Sequence, residues 1–100
     1  MADALILEFD GIGPAEYHAV SAKLGLDDAH WTQSAAPAGL LSHAAGAKPG
    51  GFVVLEVWES KADQEKFMNE RLGKALQEGG VTSAPSRVEW LAVEHYEHIG

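Results

Sequence analysis

One hundred residues make a single domain with one hydrophobic core, small enough that burying a face against a second copy would add to its stability, so a homodimer is expected. Seven basic residues against 15 acidic ones leave a net charge of -8, which repels phosphate backbones and anionic membranes, so neither nucleic acid nor a membrane is an expected partner. The chain has no cysteine, so disulfides, thiol nucleophiles and cysteine-ligated metals are all excluded.

The start, MADALILEFDG, has a short apolar run broken by Glu8 and Asp10 and no basic segment before it. It matches neither a signal peptide nor a membrane span, and a cytoplasmic protein is expected. Ala4 to Phe9 has the length of a strand, closed by Asp10-Gly11. Gly13-Pro14 then supplies a cap and a proline at the first helical position, and Tyr17, Val20 and Leu24 recur at helical spacing until Gly25. Residues 27 to 38 (DDAHWTQSAAPA) are polar and irregular, a loop long enough to serve as a lid.

Gly39 to Gly46 and Gly51 to Glu59 flank the turn residues AKPG and predict a β-hairpin. Ser60 opens a weak capping box, S-x-x-D, and Met68, Leu72, Ala75 and Leu76 form the stripe of a second helix that stops at Gly79-Gly80, with Gly73 weakening its middle. After a loop at Pro85, Val88 to Ile99 alternates as a last strand. The order βαββαβ predicts an α+β, ferredoxin-like protomer: a four-stranded antiparallel sheet with both helices on one face. On the third strand Phe52, Val54, Glu56 and Trp58 share one face, and Val53, Leu55 and Val57 share the other. Both faces are apolar, so the face away from the helices needs a cover, which a second sheet in a dimer would provide.

This element order, with a strand ending Val57-Trp58-Glu59-Ser60 that runs directly into a helix bearing Phe67, resembles the dimeric α+β barrel superfamily and, within it, the antibiotic-biosynthesis-monooxygenase-like proteins. The resemblance implies a barrel of two sheets across a dimer and a small-molecule ligand held between each sheet and its helices. It also implies a cofactor-independent oxygenase for planar or polyketide-like aromatic compounds, or alternatively a polyketide cyclase or isomerase, or a non-catalytic binding protein. Haem-degrading members pair the strand tryptophan with a histidine where this chain has Met68, and the plant cyclase of this fold has histidines where Phe52 and Gly73 stand. Neither mechanism is carried over, and no cofactor is expected. Aligned to the superfamily, Phe52, Glu56 and Trp58, with Phe9 on the first strand, turn toward the pocket.

Glu56 is the misfit in an otherwise apolar strand. If the hairpin turn is even-numbered, with Gly46 opposite Gly51, His43 lies across from Val54, on the Glu56 face and diagonal to it. On the last strand Leu91, Val93 and His95 share the more apolar face, which would bring His95 to the same pocket. A carboxylate beside a histidine in an apolar cavity is an acid/base unit, so Glu56, His43 and His95 are the candidate catalytic residues. Trp58, Tyr17, Phe52 and Phe9 are the candidate ligand-binding residues; Tyr17 is chosen over His18 because it lies on the apolar stripe. Each also has a structural reading: a self-satisfied Glu–His pair, an edge histidine, a core tryptophan. A metal bound by both histidines is disfavoured, because strand order 4-1-3-2 puts them on opposite edges, roughly 14 Å apart.

Overall fold

The computed structural model describes residues 2–26, 36–97 and 99. The elements are β1 (Asp3–Asp10), α1 (Pro14–Leu24), β2 (Leu40–Lys48), β3 (Gly51–Trp58), α2 (Lys61–Phe67), a π-helical turn (Met68–Leu72), α3 (Gly73–Glu78) and β4 (Arg87–Ala92). All strand pairs are antiparallel, in the order β2-β3-β1-β4, the ferredoxin-like arrangement. The long loop of residues 27 to 38, including His30 and Trp31, lies largely outside the described residues, as does His98. Among the described residues no helix is long and apolar enough to cross a membrane.

Local chemistry sets the helix ends. Pro14 occupies the first turn of α1, where its missing N–H costs nothing, and the Glu16 carboxylate accepts the Gly13 N–H at 2.8 Å. Gly25 ends that helix at φ 77°, a left-handed conformation that favours glycine. The Ser60 hydroxyl accepts the Asp63 N–H at 3.3 Å and caps α2.

The core lies between the sheet and the helices. Leu5, Leu7 and Phe9 of β1 and Phe52 and Val54 of β3 point into it, met by Val20 of α1 and Ala75 of α3. On the opposite face, Ile6 stands beside Leu55 and Ala4 lies between Val57 and Leu91. That face is uncovered in the single chain, leaving Leu55 48% and Leu91 49% exposed. Toward one end, Glu8 is gripped by Lys48 and Arg87, each at 2.7 Å, and these two cations hold its carboxyl below the usual carboxylate value.

Two expectations from the sequence are corrected here. The hairpin turn is Pro49-Gly50 alone, with Lys48 opposite Gly51 and Gly50 at φ 78°. Proline followed by a left-handed glycine suits a type II turn, so β2 continues through Ala47 and Lys48. The register therefore differs by two residues from the one expected, and His43 lies directly opposite Glu56 rather than Val54. A shift of two preserves the face. The last strand is shorter than Val88 to Ile99 and is turned over: it ends at Ala92, with Trp90 opposite Leu5 and Leu91 opposite Ala4. Trp90 therefore packs on the core, and Leu91 joins the open face. Both faces of this segment carry large apolar residues, so alternation alone does not choose between them; pairing with β1 does.

Candidate active site

Between the sheet and the helices lies a cavity of about 320 Å³, within the size range of small-molecule sites. Its floor is Leu7, Phe9, Phe52 and Val54, all aliphatic or aromatic and all inward-facing by strand alternation. Its roof includes Tyr17 of α1 and Met68 and Leu72 of the π-helical turn. Such turns widen a helix by one residue, and here the widening faces the cavity. The segment from Val81 to Pro85, between α3 and β4, closes another side.

One wall carries the polar chemistry. The paired positions 43 and 56 bring His43 Nδ1 within 2.8 Å of Glu56 Oε2. The other imidazole nitrogen, Nε2, lies 2.7 Å from the Tyr17 hydroxyl. The other carboxylate oxygen, Oε1, accepts the Trp58 indole N–H at 2.9 Å. Trp58, Glu56, His43 and Tyr17 thus form one continuous hydrogen-bonded chain. The His43 and Glu56 side chains are 15% and 10% exposed, so little water competes for these bonds.

The indole can only donate, which fixes the direction of the first bond. With Glu56 as a carboxylate, His43 Nδ1–H donates to Oε2, and Nε2 is left as the acceptor of the Tyr17 O–H. This is the arrangement of a general base oriented by a carboxylate, with Tyr17 in the place where a proton is delivered. The Tyr17 ring also stacks on Phe52 at 4.9 Å and lies nearly parallel to the His43 ring, 14° from it.

Burial pushes the Tyr17 phenol above its ordinary value of 10.0; a hydrogen bond with Ser21 opposes the shift and the Glu56 charge adds to it. Tyr17 is thereby kept as a proton donor across neutral pH. Because the folded value exceeds the unfolded one, the folded state holds this proton more tightly, and the associated stability is lost as pH rises through the folded value. A phenolate absorbance titration of the wild type and Tyr17→Phe should isolate one ionisation above pH 10 that the variant lacks. A Tyr17 step at or below that pH would contradict the burial.

Of the residues singled out from the sequence, Glu56, His43, Tyr17, Phe52 and Phe9 all line this cavity, and His18 is exposed outside it. Two others are placed differently. His95 lies beyond the end of β4, exposed on a tail where its Nε2 meets Glu97 at 3.2 Å, and it does not line the cavity. Trp58 is 0% exposed and touches Glu56 and Phe67 rather than the cavity, so it supports the carboxylate instead of forming a wall for a ligand. The sequence reading missed the π-helical turn as a roof and the Val81–Pro85 segment; Gly79-Gly80, which ends the helix and lets the chain double back, was the available signal for the latter. Among the described residues no group of three or more His, Asp or Glu side chains is placed to hold a metal ion.

No protein-family model matches the chain, and no curated protein sequence does. Solved structures do. A candidate antibiotic biosynthesis monooxygenase from Chloroflexus aurantiacus J-10-fl is similar over 100% of both chains, with TM-score 0.67 and 18% identity. Rv0793 from Mycobacterium tuberculosis is similar over 98% of this chain and 100% of its own, with TM-score 0.65 and 16% identity. A single-substitution variant of SnoaB, a cofactor-independent oxygenase from Streptomyces nogalater, is similar over 95% of each chain, with TM-score 0.63 and 14% identity. The chain therefore has the antibiotic-biosynthesis-monooxygenase-like α+β fold that the sequence resembled.

Proposed function

We propose that the protein is a small cofactor-independent enzyme of the monooxygenase kind, acting on a planar, polyketide-like aromatic ligand, with His43 as its general base. The observation that carries this reading is the Glu56–His43–Tyr17 chain on the wall of a predominantly apolar cavity. A ligand phenol donates its proton to the Tyr17 oxygen as Tyr17 passes its own to His43 Nε2. Tyr17 ends the step neutral and donating to the new phenolate, and the imidazolium stands beside Glu56. The electron-rich ring carbon then adds molecular oxygen; protonation of the peroxide and loss of water leave a quinone carbonyl. Phe52 and Phe9 hold the ring by stacking and edge contacts.

Oxygen uptake with a panel of polycyclic phenols tests this. Uptake by the wild type that His43→Ala abolishes supports the proposal; no uptake above buffer with any member sinks it. Conversion of a ligand without oxygen would instead make the same base that of a cyclase or isomerase, and tight binding without conversion would make the protein a binder.

We further propose that a second copy covers the open face of the sheet. Ile6, Leu55, Val57 and Leu91 give that face the apolar character of an interface rather than of a solvated surface. Leu55→Asp would bury a carboxylate at its centre, and native mass spectrometry should then show the single-chain mass where the wild type shows twice that mass. A wild-type monomer would refute the paired sheets.

A further inference from the structure

The charge lining the cavity is one-sided. Glu56 contributes a carboxylate, and none of the seven Lys and Arg residues of the chain reaches the cavity. All seven are among the described residues, so this holds for the whole chain. Lys48 and Arg87 are held by Glu8 on the opposite face of the sheet, and Lys61 lies over Trp90. Lys74 lies near Glu78, and Lys23 and Lys66 are exposed on the helices. Arg71 lies over the Phe67 ring and spends its guanidinium on the Leu24 carbonyl at 3.0 Å. On the polar wall the Tyr17 and His43 protons are already given to His43 and Glu56, so Tyr17 offers a bound ligand its oxygen as an acceptor, and the charge behind His43 is negative.

Resting on the reading of this cavity as a site for an aromatic ligand, we propose that the site selects by charge: it takes a neutral hydroxyarene that ionises only after it is bound, and it rejects carboxylates and phosphates of the same shape. A ligand entering as an anion would face the Glu56 charge in a largely apolar cavity that no Lys or Arg reaches to offset it. A neutral phenol meets no such penalty, and its proton has a built path to His43. Ionisation inside the site converts a neutral imidazole and a neutral ligand into an imidazolium–phenolate pair, so the positive charge needed by the product appears only as the product forms. The substrate class is therefore phenols or enols whose acid groups are absent or masked as esters.

Binding of 2-naphthol and 2-naphthoate, matched in ring size, tests the inference by calorimetry near neutral pH, where the first is neutral and the second ionised. The naphthol should bind tighter by on the order of a hundredfold, and Glu56→Gln should narrow that ratio to about tenfold or less. Gln77→Lys, which places a cation on the cavity lining, should shift the ratio toward naphthoate even if Glu56→Gln fails to fold. Naphthoate binding as tightly as naphthol overturns charge selection and leaves the aromatic site standing. An unchanged ratio in both variants does the same, whereas failure of both probes to bind overturns the aromatic site as well.

Discussion

Glu56→Gln is expected to lower turnover by about 10²–10⁴-fold while leaving the fold and ligand binding largely intact. The reason is a forced tautomer. The Trp58 N–H can only donate, so it requires an oxygen at the position of Oε1. In the variant the amide oxygen takes that place and the amide NH2 turns to His43 Nδ1. Nδ1 must then accept, the ring proton moves to Nε2, and Nε2 can no longer take a proton from Tyr17. Nitrogen NMR of the His43 ring reads the tautomer directly, independently of any substrate. Removing the indole donor as well frees the glutamine to rotate, so the double variant Glu56→Gln, Trp58→Phe should recover part of the lost activity. A double variant no better than Glu56→Gln alone would mean that Trp58 does not set the direction of the chain.

The second large effect is on stability. Trp58→Ala removes a fully buried indole packed on Phe67 and should cost about 3–5 kcal/mol. In a domain of this size that corresponds to a fall in melting temperature on the order of 15–30 °C. Trp58→Phe keeps most of the packing but leaves Oε1 without its donor, at a cost of about 1–3 kcal/mol. Thermal unfolding of the two variants separates packing from hydrogen bonding. Equal losses would show that the indole N–H contributes little.

How far the sequence revealed this site depended on which physical signal each residue carried. Glu56 was conspicuous because a charge in an apolar strand needs a reason, and the pleat fixes which face it shares with Phe52 and Val54. His43 came to the same face through an even-numbered turn, although the strand ran through Ala47 and Lys48, residues whose types do not distinguish strand from turn. Tyr17 followed from helical spacing. His95 was misplaced because Leu91 and Trp90 compete for the core, and only the antiparallel partner strand, absent from any local window, decides between them. The face of Trp58 on β3 suits a cavity wall. Its depth was not legible: the α2 helix that seals it is anchored by Ser60 immediately after the strand, which draws Phe67 over the indole. The π-helical turn leaves no mark in the stripe of Met68, Leu72 and Ala75, which suits a regular helix equally well.

The two-residue turn at Pro49-Gly50 has a consequence for descent as well as for architecture. Losing or gaining one codon between Lys48 and Gly51 would carry His43 to the far side of the sheet, while the small side chains of β2, mostly Ala, Ser and Gly, would be tolerated on either side. The fold would survive and the proposed base would leave the cavity. Lineages with this architecture can therefore acquire or discard the histidine–carboxylate pair in a single small genetic event, and the length of one hairpin should sort relatives that carry the pair from those that do not.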